Sequence, residues 1–164
     1  MNERITENLI RNKLKDLGYF EENDIIIEEQ KSQNTKIQAL LKNASKTGKG
    51  GVGAPEFIIK SKKIQDFLIV IECKASTKKH ETASLDQPVD YAVDGALHYA
   101  KSLAKEFNVI AIGCSGQNEK TLKISTYLQP RSTPTELPGR RQNLSATPDL
   151  SGTVLPYVLY RTQR

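Results

Sequence analysis

The sequence predicts an α/β fold, a mixed central β-sheet flanked by helices. Three observations carry that expectation. Segments with helical spacing of apolar residues alternate with short β-branched runs, in the order helix, strand, helix, strand, strand, helix, strand, strand. One run, Asn108 to Cys114, is apolar almost throughout, the mark of a strand covered on both faces. The chain has 164 residues, 37% hydrophobic and 26% charged, which is long enough to bury one core.

In chain order, Ile5, Leu9, Ile10, Leu14 and Leu17 recur at helical spacing before Gly18. Asp24 to Glu28 is β-branched and suits a first strand, and Ser32 to Ala44, with Ile37, Leu40 and Leu41, suits a second helix. The cluster Thr47-Gly48-Lys49-Gly50-Gly51-Val52-Gly53 is either a flexible connector or a loop that orders against a phosphate backbone, with Lys46 and Lys49 adding charge. It is not a Walker loop, because Gly48-Lys49 is followed by glycine rather than serine or threonine. Pro55 to Ile59 and Ile69 to Lys74 read as two strands joined by a polar stretch of hairpin length. Ser76 to Ser84 is a partly basic loop containing Lys78, Lys79 and His80.

A third helix follows, started either by a capping box at Ser84-Leu85-Asp86-Gln87 or by Pro88. Its Ala92, Ala96, Leu97, Tyr99, Ala100, Leu103 and Ala104 form a small-residue face that suits close packing on a sheet. Leu122 to Leu128 alternates and belongs near a sheet edge. From Gln129 onward, five prolines are spread among serine, threonine and arginine. Residues 129–164 therefore read as a linker or arm leading to a further domain, with Val154 to Tyr160 as a strand or docking segment.

The chemistry is concentrated in the two strand runs. Glu72 and Lys74 are two residues apart, so their side chains share one face while Ile69, Ile71 and Cys73 point to the other. A hairpin between the runs brings Glu56 toward Glu72. Two carboxylates at one spot repel each other unless a cation lies between them. A hard divalent cation, magnesium above all, fits two carboxylates and the backbone carbonyl of Cys73, with water and phosphate oxygens completing its shell. Lys74 then supplies a point charge beside the attacked phosphate, and the chemistry implied is metal-dependent phosphodiester hydrolysis.

Other sites are disfavoured. The two histidines, His80 and His98, lack the regular ligand spacing of a zinc site. Ser115 has no evident base and sits outside any Gly-x-Ser-x-Gly pattern. Cys73 and Cys114, both in apolar runs, read as buried free thiols. A net charge of +5 and a pI near 9.1 favour a polyanionic partner. The first residues are polar and no apolar stretch approaches the roughly 20 residues of a membrane span, so a cytoplasmic protein is expected.

Pro55-Glu56 followed by Glu72-Cys73-Lys74 resembles the PD-(D/E)xK nuclease superfamily, and Gln87-Pro88-Val89-Asp90-Tyr91 is similar to the Gln-x-x-x-Tyr element of one of its subgroups. The likeness covers about residues 3 to 128 and is nearest the N-terminal endonuclease domains of type I (R subunit) and related fused restriction-modification enzymes. It departs at Glu56, where the superfamily usually has aspartate.

The resemblance implies a restriction-endonuclease-like core and a magnesium-dependent DNA endonuclease in which manganese substitutes. It implies Glu56 and Glu72 as metal ligands, Lys74 as the catalytic cation, and Gln87 and Tyr91 as supporting residues that contact DNA. Many members carry an acid on the first helix that leans toward the site. Glu7 is here either such an outer-shell group or a solvated helix glutamate. Double-stranded DNA and further domains or subunits for methylation, translocation or target recognition are the implied partners. An inactive DNA-binding or assembly module of the same fold is the alternative.

Overall fold

A computed structural model describes residues 2–132, so most of the expected arm, from residue 133 onward, lies outside the described residues. The elements are α1 (Glu3–Asp16), β1 (Ile25–Glu29), α2 (Thr35–Leu41), β2 (Phe57–Ser61), β3 (Phe67–Lys74), α3 (Ala92–Leu103), β4 (Asn108–Ser115) and β5 (Lys123–Gln129), in the order expected. One sheet runs β1-β2-β3-β4-β5. β3 and β4 are parallel, joined over α3, and the other neighbours are antiparallel. The fold is thus α/β with a mixed sheet, consistent with a restriction-endonuclease-like core.

Side-chain alternation divides the core into two layers. Leu68 and Val70 of β3, with Ile58, Val109 and Ala111, pack against Ile37 and Leu41 of α2 and Ala96, Tyr99, Ala100 and Leu103 of α3. Ile69, Ile71 and Cys73, with Phe57, Ile59, Ile110 and Ile112, pack against Ile10 and Leu14 of α1. Helices on both faces explain why β3 and β4 are buried along nearly their whole length and read as continuous apolar runs. β5 lies at the sheet edge and is only partly buried, as its alternation predicts.

Two elements depart from expectation. On α1, Ile5 is 44% exposed and the fully buried Thr6 takes the inward place. Its hydroxyl is 2.9 Å from the carbonyl of Gly116 and 3.3 Å from that of Lys74, which ties the helix to the end of β3. The larger departure is at α3, which begins at Ala92 rather than at Ser84 or Pro88. Ser84 turns its hydroxyl to Asp86, at 2.6 Å, instead of capping a helix. The buried Asp94 carboxylate accepts from the Thr82 N–H at 3.1 Å, the Thr82 hydroxyl and the Gln87 N–H at 2.9 Å, holding the segment as turns. The small-residue face of α3 does lie close on the sheet, since a Cβ at Gly113 of β4 would stand 2.6 Å from the Val93 backbone.

Candidate metal and nucleic-acid site

Antiparallel register sets the first pair. Phe57 is opposite Ile71, so Glu56, just before β2, comes level with Glu72, just after Ile71. Glu72 lies in the layer covered by α3 and is completely buried. Room for it is made by Gly95, where a Cβ would meet Glu72 Cγ at 3.0 Å and the Pro88 carbonyl at 3.0 Å.

The two oxygens of Glu72 have different fates. Oε1 is paired with the Lys46 ammonium and lies 3.9 Å from Lys74 Nζ. Oε2 is buried and has no hydrogen-bond partner among the described residues. A buried polar atom without a partner is rare and costly, and it marks a place where a ligand fits. Lys74 is held from the other side by Glu3 of α1, with Nζ to Oε1 at 3.0 Å.

The electrostatics show a site short of positive charge. Burial pushes the Glu72 carboxyl above its ordinary range, more than Lys46 and Lys74 pull it down. Glu56 is pushed to about 7, first by burial and then by repulsion from Glu72 and Glu7, against Lys46 and a hydrogen bond from Gln30. Glu7 is therefore within electrostatic reach of the pair. Glu3 and Glu7, four residues apart on α1, share a face turned toward it.

This donor set fits a hard cation. Two carboxylates, one with an unpartnered oxygen, are hard oxygen donors of the kind magnesium takes, and the Cys73 carbonyl is the third oxygen the sequence offers; water and phosphate would complete such a shell. Among the described residues no three histidine, cysteine or acidic side chains form a metal-holding group. The Cys73 thiol faces the opposite layer beside Cys114; both cysteines are free and buried. His98 donates to the Ala44 carbonyl at 3.1 Å, and the two ring nitrogens of His80 meet Ser115 at 2.8 Å and Ser125 at 2.9 Å.

Their spacing of four suits one helix face, but Gln87 and Tyr91 both lie before the first residue of α3. Gln87 is exposed in the turn segment, and half-buried Tyr91 is the N-cap of α3. They are linked through one turn, in which the Asp90 and Tyr91 N–H groups both donate to the Gln87 carbonyl at 3.2 Å. Among the described residues neither side chain hydrogen-bonds to Glu56, Glu72 or Lys74. Lys49 is exposed at the tip of the glycine loop, while Lys46, from the same loop, reaches Glu72.

Three contributors, Glu3, Gln30 and Gly95, were not expected from the sequence, and Lys46, expected only to add charge to the glycine loop, pairs with Glu72. Only Glu3 carried a local signal, its spacing from Glu7. Gln30 adopts φ +58° and its N–H donates to the Pro55 carbonyl at 3.0 Å, which fixes the approach to Glu56.

No family model matches the chain, and no solved structure matches it. Over 124 residues the chain is 38% identical to the type II restriction enzyme and methyltransferase RM.BcgI of Heyndrickxia coagulans. That match covers 68% of this chain but 18% of the relative, so the chain is related to a small portion of a far longer restriction enzyme.

Proposed function

We propose that this chain is a magnesium-dependent DNA endonuclease domain, the cleavage domain of a restriction-modification enzyme. The observation that carries the reading is the fully buried Glu72, level with Glu56, with one carboxylate oxygen left without a partner among the described residues. Similarity to a restriction enzyme supports the same substrate class.

Glu56, Glu72 and the Cys73 carbonyl would hold the cation, and Glu7 would add negative charge to the outer shell. A bound magnesium ion would supply a water of lowered pKa and polarise the scissile phosphate, and manganese would substitute for it. Lys74, steadied by Glu3, places its ammonium beside the phosphate and balances the charge that builds there. Gln87 and Tyr91, at the start of α3, contact the backbone of double-stranded DNA, and Lys49 adds a phosphate contact. Other domains or subunits supply methylation, translocation or target recognition.

The test is magnesium- or manganese-dependent nicking of supercoiled plasmid beside Glu72→Ala and Lys74→Ala. Nicking that both substitutions abolish supports the reading. One observation favours an inactive DNA-binding module instead, namely the lysine already seated on Glu72. DNA binding that persists in EDTA, with no cleavage in either metal, would select that module.

A further inference from the structure

Lys46 belongs to a loop with a fixed base and a tip whose own hydrogen bonds are local, from the Gly48 N–H to the Ser45 carbonyl at 3.4 Å and between the Ser45 and Thr47 hydroxyls at 3.0 Å. At the base, the Ala44 and Gly53 N–H groups both donate to the Leu41 carbonyl, at 3.0 and 2.7 Å, and the Ser45 N–H donates to Gly51 at 3.1 Å. A Cβ at Gly53 would stand 2.8 Å from both the Ala44 carbonyl and the Tyr99 ring, so the base is packed tightly. The tip is different. Gly48 and Gly50 have positive φ, and no atom stands within 4 Å of a Cβ built at either. Among the described residues, the tip's link to the interior is Lys46, which passes over the Tyr99 ring at 5.7 Å and ends on Glu72.

Glu72 needs a cation, since an ionised carboxylate with no exposure is expensive unless paired. A divalent cation at the same carboxylate would repel an ammonium already bound to it. Lys74 has an alternative anchor in Glu3, whereas Lys46 makes no ion pair other than that with Glu72 among the described residues. Of the two lysines, Lys46 is the one free to leave.

We propose that Lys46 is the site's resident cation: it neutralises Glu72 in the metal-free protein, yields its place to the divalent cation, and thereby releases the glycine-rich tip to turn Lys46 and Lys49 toward a phosphate backbone. This inference rests on the metal site proposed above. It makes cation binding and the grip on nucleic acid a single exchange.

The test is binding of Mn2+ alone, by calorimetry at mildly alkaline pH so that protons do not take the lysine's place, to the native chain, Lys46→Met and Lys46→Arg. Lys46→Met should bind about tenfold more tightly or better, tenfold being about 1.4 kcal/mol. Lys46→Arg should bind like the native chain. Amide hydrogen exchange at residues 47–51 should quicken when Mn2+ is added to the native chain, and should already be fast in metal-free Lys46→Met. Unchanged or weaker binding by Lys46→Met, or an equal gain by Lys46→Arg, overturns the exchange while leaving the metal site standing. No Mn2+ binding by any of the three chains overturns both. If Lys46→Met does not fold, the native chain decides alone, and Mn2+ binding without quickened exchange at 47–51 sinks the proposal.

Discussion

Glu72 shows how a buried carboxylate can be tolerated without being satisfied. One oxygen has a lysine, the other has no partner among the described residues, and the strain is shared with Glu56, whose proton is held to about 7. Glu72→Gln keeps the shape and removes the charge. It should abolish Mn2+ binding and let the Glu56 pKa fall back toward its ordinary 4.5, measured by carboxyl NMR titration. Gly95→Ala tests the space around the same group. Its added methyl meets both the Glu72 side chain and a backbone carbonyl at 3.0 Å, and only the first can move. Overpacking of this kind should cost about 1–3 kcal/mol in urea unfolding. The placement of Glu56 level with Glu72, and of Lys74 beside it, was legible because strand alternation and a hairpin are local rules. Lys46 was not, because its target lies 26 residues away and is reached through loop geometry that no periodicity encodes.

At the scale of elements, helices and strands were legible in type and order because their apolar periods differ. The start of α3 was not. Ser84-Leu85-Asp86-Gln87 has the letters of a capping box, but the deciding residue, Asp94, lies seven positions beyond Gln87 and binds backward to Thr82 and Gln87. A carboxylate that serves three donors from inside a helix overrides a local cap. Asp94→Ala leaves those donors without their acceptor, each worth about 1–3 kcal/mol when buried. Faster amide exchange at Thr82 and Gln87, together with a lower urea midpoint, should follow. Unchanged exchange at both would show that the turns hold themselves. Because Gln87 and Tyr91 are presented by this segment, the same substitution should weaken DNA binding without altering Mn2+ affinity.

Over the whole molecule, two carboxylates give stability opposite dependences on pH. Burial tends to raise Glu28, but its hydrogen bonds from Ser32, Gln33 and Lys60 prevail and lower it. Its contribution is present above its ordinary value and is lost as pH falls through the depressed one. Glu56 is raised, so its contribution is present below 4.5 and is lost as pH rises through about 7. The metal-free chain should therefore be most stable in mildly acidic solution, with urea midpoints falling on either side. Glu56→Gln should flatten the fall through neutrality, and Lys60→Met should shrink the acid limb. Adding magnesium should lift the neutral limb alone. A native midpoint that does not change between mildly acidic and mildly alkaline EDTA buffer would contradict this account. No helix among the described residues is long and apolar enough to cross a membrane.

The glycine behind Glu72 also supplies a filter for recognising such sites. An acid, any residue and lysine at the end of a strand occur by chance in many chains, and so does a glutamine four residues before a tyrosine. Here Gly95 extends that second spacing by one more step, so that Gln87, Tyr91 and Gly95 stand at intervals of four. A methyl at the third position would already meet Cγ of the acid it covers at 3.0 Å, and a larger side chain would crowd it further. Chains that match the short pattern but carry a bulky residue there are poor candidates for this architecture, and chains with glycine there are the ones to express first.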